Sequence, residues 1–252
     1  MQHRKYTFID TESWWDEELH KAYLRLDPDS KHHRMACRKI GIAAALDLDI
    51  DGEGRISVGA VASWSEHALG TERAVVSALF DHLRARDDRI IVTWGGVPVD
   101  WQLLTLAAMA DGQTLPPQAL DAPRRNMPRS NEDLALLLKG AGRTWHHASE
   151  VALRVGVPVS LLEGKARVIK PVAEAAWRAV QDHSERDCLI TAIVKIAWLT
   201  TRGAEGLRFE PAVIALVEGF LRRRPEHALA GEMRVYLRSL HQVIGEGFAT
   251  AA

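Results

Sequence analysis

Tyr6-Thr7-Phe8-Ile9-Asp10-Thr11-Glu12 is an apolar, β-rich run that ends in two carboxylates one residue apart. Side chains alternate along a strand, so Tyr6, Phe8, Asp10 and Glu12 share one face and Thr7, Ile9 and Thr11 the other. Two negative charges then sit together at the strand's C-terminal edge. Like charges that close repel, and one carboxyl of the pair is raised in pKa unless a cation lies between them. A strand running out into a polar loop also explains an isolated Asp-x-Glu. The choice turns on whether distant parts of the chain bring further carboxylates.

The apolar run 39–48 carries Ile40, Ile42, Ala43, Ala44, Ala45 and Leu46, and an Asp- and Gly-rich turn at 49–54 leads into 55–64, where Ile56, Val58 and Ala60 alternate with smaller residues. This is hairpin chemistry; the turn resembles a calcium loop in composition but lacks its length and its closing glutamate. The period then changes. Val75, Val76, Leu79, Phe80 and Leu83 predict a helix over 71–86 with Thr71 as N-cap. Ile90-Ile91-Val92 reads as a strand buried on both faces. Trp94-Gly95-Gly96 is a break, Pro98 suits a first helical turn, and Asp100, Leu103, Leu104 and Ala107 form a stripe ending near Gly112. Residues 113–130, rich in Pro, Arg and Asn, form a long connection. Helices follow at 131–138, 147–154, 172–183 (continuing or restarting through 198), 211–221 and 226–244. This order predicts an α/β protein with a mixed sheet flanked by helices: one domain over 1–200 and a helical C-terminal extension, 201–252, packed on it.

At 252 residues with 47% apolar and 26% charged side chains, the chain has the composition of a folded globular protein. A net charge of −1 excludes a global basic field, leaving only local clusters, Arg124, Arg125 and Arg129, and Arg222, Arg223 and Arg224. Cys37 and Cys188 are too few for a disulfide framework or a thiolate zinc site. No apolar run approaches the ~18 residues needed to cross a bilayer, so no membrane partner is expected. The N-terminus has no signal-peptide core, and a reducing, cytoplasmic setting is the expectation. Oligomeric state is not legible.

Further acids do appear. Asp100 lies in the first turn of the helix entered through Gly95-Gly96-Val97-Pro98. His183 and Asp187 stand four apart, on one face of a helix. Asp187 opens the apolar segment with Leu189, Ile190, Ile193, Val194, Ala197 and Trp198, and an acid at the margin of such a helix is costly to bury without a compensating cation. Together, Phe8-Ile9-Asp10-Thr11-Glu12, the stretch from Val92 through Asp100 to Leu104, and His183-Ser184-Glu185-Arg186-Asp187 resemble the three exonuclease motifs of the DEDD superfamily. The likeness is greatest to the predicted exonuclease family related to the 3′–5′ exonuclease domain of B-family DNA polymerases. Asn131-Glu132-Asp133-Leu134 looks like that family's following Asp-Leu helix. Two departures stand out: Trp94-Gly95 replaces the usual Phe-Asn, and the histidine sits four residues before the last Asp, the spacing of Tyr-type members. The resemblance covers roughly residues 5–200.

The resemblance implies a ribonuclease-H-like fold and a metal-dependent 3′–5′ exonuclease acting at the 3′ end of single-stranded DNA or RNA. Asp10, Glu12, Asp100 and Asp187 would hold two divalent ions, Mg²⁺ or Mn²⁺, about 3.5–4 Å apart, since hard oxygen ligands with open positions suit these ions better than zinc. His183 would handle the water proton, either accepting it or orienting the water. The alternative is a catalytically inactive nucleic-acid- or protein-binding module on the same fold. His32-His33 with Cys37, and His146-His147, lack the paired spacing of a zinc site. Lys165 reads as a loop lysine or a phosphate contact, and Trp14 and Trp15 as core residues or a stacking platform for a base.

Overall fold

In the computed structural model, which describes residues 3–29, 34–120, 130–163 and 170–249, the sheet has five strands in the order β3-β2-β1-β4-β5. These are β1 Arg4–Trp15, β2 Arg38–Ile50, β3 Ile56–Ser65, β4 Ile90–Thr93 and β5 Asn131–Asp133. β2 runs antiparallel to both β1 and β3, whereas β4 is parallel to β1 and β5 to β4. The short 51–55 turn can only make a hairpin, while the parallel β1–β4 pairing needs a crossover. Helix α1 (Glu17–Leu24) follows β1, and helices α2 (Glu66–Leu69) and α3 (Glu72–Arg84) lie in the connection that leads to β4. This is the expected ribonuclease-H-like mixed sheet flanked by helices.

Alternation along β1 divides the core. Ile9 packs with Ile40, Ala43, Val76, Phe80 and Ile91 beneath α3 and α4 (Asp100–Asp111). Tyr6 and Phe8 pack on the other face with Leu46, Leu189, Ile193, Val213 and Phe220. That face is covered by α8 (Glu174–Thr201) and α9 (Phe209–Arg223), and α10 (Ala230–Ala249) joins it through Met233, Tyr236 and Leu240. The C-terminal helices therefore share one buried cluster with the sheet. Gly219 brings α9 so close to β3 that a Cβ there would lie 2.5 Å from Val58.

The structure departs from the periodicity in several places. β1 does not stop at Glu12 but shifts register between Glu12 and Ser13 and continues to Trp15, so the acids lie inside the strand. Residues 131–138 are not one helix: 131–133 form β5 beside β4, and only then does α6 (Leu134–Lys139) begin. Three polar residues carry no strand signal of their own; the edge of β4 recruits them. The long connection after Gly112 contains a short helix, α5 (Pro117–Leu120). Arg124, Arg125, Arg129, His32, His33 and Lys165 lie outside the described residues. The tract from 172, which the sequence leaves as continuing or restarting through 198, is one 28-residue helix, α8. Among the described residues no helix is long and apolar enough to cross a membrane.

Candidate active site

The pairing of β1 with β4 ends at Phe8 and Val92. Beyond that pair the strands part, and Asp10 and Glu12 project from β1 where a parallel sheet opens its crevice at the strands' carboxyl ends. Asp100 reaches the same place from the far side of the 94–99 turn. Gly95 has a φ of +68°, and Gly96 is pressed onto Thr93, where a Cβ would meet Thr93 at 2.4 Å. The Asp133 carboxylate holds this turn, accepting from Gly95 N at 2.9 Å and Val97 N at 3.0 Å. It also caps α6, accepting from Ala135 N at 3.0 Å and Leu136 N at 3.2 Å.

Alternation puts Thr11 on the opposite side of β1 from Asp10, and its hydroxyl donates to Asp100 Oδ1 at 2.5 Å. Asp10 Oδ2 accepts from the Ser184 hydroxyl on α8. Loss of water, then the charges of Glu12, Asp187 and Asp100, push the Asp10 carboxyl well above the usual carboxylate range. Burial likewise pushes Asp100 up to about 6, against the two Thr11 hydrogen bonds. Acids from β1, α4 and α8 thus act together on Asp10, as hard oxygen donors do before a cation compensates them. This donor set fits Mg²⁺ or Mn²⁺. Burial, and then the Asp10 charge, push the thiol of Cys188 beside them up. A cavity of about 180 Å³ opens next to Asp10 and Asp187, with Trp94, His147 and Ile190 in its walls.

His183 Nε2 stands 3.5 Å from Glu12 Oε1 and 3.6 Å from Asp187 Oδ2. Behind it lies Arg186, 3% exposed. Its Nη2 is 2.8 Å from His183 Nδ1 and 3.4 Å from Nε2, and it donates to Asp187 Oδ1 at 3.1 Å. Its Nη1 donates to the Glu163 carbonyl at 2.8 Å. Sequence reasoning assigned no role to Arg186, Ser184, Thr11 or Asp133. The first two lie inside the third motif, but nothing in its spacing tells which way they turn.

The tightest gathering of ligand-type atoms is elsewhere: among the described residues, only Asp182, Glu185 and His227 bring three within 4.8 Å of one another. That cluster is already neutralised. Arg224 binds both oxygens of Glu185, with Nε at 2.6 Å from Oε2, and Ser63 donates to Oε1 at 2.5 Å. Asp182 pairs with Arg178 at 3.0 Å and accepts from Ala228 N at 3.1 Å. His227 Nδ1 accepts from Leu229 N at 3.1 Å, which leaves Nε2 to donate to the Asp182 carbonyl at 2.9 Å. Neither imidazole nitrogen has a lone pair to offer a metal. One of the three clustered arginines, Arg224, is thereby a structural ion pair. His147 caps α7 (Ala148–Arg154), accepting from Ser149 N at 3.3 Å. Trp14 is core, edge-on to Trp177 with ring centroids 5.1 Å apart. Trp15 is half-buried, with Arg38 5.5 Å over its ring.

Fold and site define a class: a ribonuclease-H-like α/β protein with an acidic crevice at the ends of β1 and β4. No protein-family model matches the chain, and no curated protein matches it. Among solved structures it is similar to the family B DNA polymerase of the hyperthermophilic archaeon Pyrobaculum calidifontis (16% identity, TM-score 0.47, 87% of this chain and 29% of that one). It is also similar to E. coli exonuclease I in complex with a dT13 oligonucleotide (13% identity, TM-score 0.37, 79% of this chain and 41% of that one). The zinc ion bound form of an E. coli ExoI–ssDNA complex gives 11% identity and a TM-score of 0.36, over 81% of this chain and 41% of that one. The chain spans less than half the length of each of these three.

Proposed function

We propose that this protein is a metal-dependent 3′–5′ exonuclease that removes nucleotides from the 3′ end of single-stranded nucleic acid, with Asp10, Glu12, Asp100 and Asp187 holding two divalent ions, Mg²⁺ or Mn²⁺. The observation that carries the reading is the mutual charge of the acids. Burial, and then three carboxylates from separate elements, push up Asp10, which is costly unless a cation joins them. Bound there, the ions supply positive charge to both the attacking and the departing oxygen. The reaction forms a bond from water oxygen to phosphorus and breaks the bond to the neighbouring 3′ oxygen, which ends with a proton from the water. Thr11 and Ser184 hold Asp100 and Asp10, Asp133 fixes the turn before Asp100, and His183 faces the crevice between Glu12 and Asp187.

A 5′-labelled single strand incubated with Mg²⁺ or Mn²⁺ tests this directly. Stepwise shortening is expected, with at least a hundred-fold loss in Asp10→Asn while the far-ultraviolet circular dichroism is unchanged. Undiminished digestion by Asp10→Asn would sink the assignment. A second reading, a binding module without turnover, draws on Arg186, whose cation already occupies one oxygen of Asp187. It predicts retention of the labelled strand with no shortening in either metal.

A further inference from the structure

We propose that the cavity beside the first residues of β1, walled by Arg4, Lys195, Trp198 and Arg202, binds a nucleoside monophosphate. It is separate from the acidic crevice. Arg4 stands six residues before Asp10 on the same face of β1, roughly 20 Å along a strand. Arg202, the C-cap of α8, stands fifteen residues beyond Asp187, roughly 22 Å along a helix. No residue lining this cavity also lines the one beside Asp10 and Asp187.

The chemistry of the wall selects the ligand. Three cations, Arg4, Lys195 and Arg202, stand against two carboxylates, Glu132 and Glu205, and the excess positive charge favours an anion. Lys195 is 2% exposed, and so deep a lysine needs a carboxylate to offset the loss of water; Glu132 is that partner. Glu132 takes one of the three ammonium donors, and the charge lies 5.1 Å over the Tyr6 ring, so the lysine is fixed before a ligand arrives. Arg4 donates to the Tyr6 hydroxyl. Guanidinium N–H forks match the paired oxygens of a phosphate. The carboxyl end of α8 opposes an anion, but its last turn is closed. Gly203 N donates to the Thr200 carbonyl at 2.9 Å and Ala204 N to the Leu199 carbonyl at 3.0 Å, and Arg202 sits on that end. Trp198 adds a half-buried ring, with Arg202 5.4 Å over it, on which a planar base can stack. Size decides between a bare anion and a larger one. The cavity of about 890 Å³ lies within the ~300–1,000 Å³ of small-molecule sites, and a lone phosphate would leave most of it to water. That the phosphorylated ring is a nucleotide rests on the proposed function, whose product it is.

Isothermal titration of the full-length protein with adenosine monophosphate in chelator reads binding without turnover, so its failure and the failure of the proposed function are separate results. One-to-one binding is expected, equal in wild type and Asp10→Asn, and at least about tenfold weaker in Arg202→Ala and in Trp198→Ala. Arg202 is exposed, so its replacement leaves the core intact. Adenosine and inorganic phosphate should each bind at least about tenfold more weakly than the nucleotide, because each engages only part of the wall. Absence of binding overturns the proposal. So does binding that Asp10→Asn abolishes and Arg202→Ala retains, which would put the nucleotide in the crevice. Inorganic phosphate bound as tightly as the nucleotide overturns it as well.

Discussion

Asp100 turns the gathering of acids into a measurable stability. Its carboxyl is pushed from 3.8 to about 6 in the folded chain, chiefly by burial. A raised carboxyl means that the folded state holds the proton more tightly than the unfolded one. Its contribution is present below the unfolded pKa and is lost as pH rises through about 6. The shift corresponds to a loss on the order of 3 kcal/mol between pH 4 and 7. In chelator, wild type is expected to lose thermal stability over that range more steeply than Asp100→Asn, and excess Mg²⁺ to restore part of it at neutral pH. Parallel melting curves for the two proteins would contradict this. At Gly41 the limit is space: a Cβ would lie 1.6 Å from the Trp14 indole. Gly41→Ala should displace Trp14 from Trp177 and cost about 1–3 kcal/mol in denaturant unfolding.

At the scale of elements, one carboxylate ties three of them together. Asp133 ends β5, caps α6 and holds the turn that leads to α4. Asp133→Ala removes a cap worth ~1 kcal/mol together with two charge-assisted turn bonds, and about 3 kcal/mol of destabilisation is expected. Because the turn positions Asp100, the proposed nuclease activity should fall further than the folded fraction does. An activity loss no greater than the unfolded fraction would show that the turn keeps its shape without Asp133. Part of this arrangement is legible in the sequence, since Asp133 before an apolar run is a capping signal. Its second task is not, because Gly95 and Val97 lie 38 and 36 residues away.

Across the whole molecule, the C-terminal helices are tied to the sheet by a buried knot of charge as well as by the apolar core. Arg224, the C-cap of α9, meets Glu185 of α8, which is 1% exposed and also bound by Ser63 of β3. Arg224→Ala leaves that carboxylate uncompensated, at an expected cost of about 3–5 kcal/mol. The double change Arg224→Leu with Glu185→Leu, which removes both charges, should cost less, and equal losses in denaturant unfolding would refute the coupling. A chain ending at residue 201 would uncover the α9 face of β3 and α8. It is expected to lose cooperative unfolding altogether.

Local period is enough to encode the long strands, the hairpin and the first long helix. Alternation in Tyr6–Glu12 assigned those seven side chains of β1 to their faces, the 49–54 turn made a hairpin of β2 and β3, and the α3 stripe with its Thr71 cap named a helix within two residues of its ends. The order of the acids along the chain was legible as well. Tertiary structure alone decided the rest, because those contacts depend on how finished elements dock. β5 exists because β4 offers an edge. His227, Arg224 and Glu185 form a neutral knot only because α9 crosses back over α8. Arg186 faces His183 because Glu163 and Asp187 hold its guanidinium in the crevice wall. Periodicity says which face a side chain takes; only packing says what it meets there.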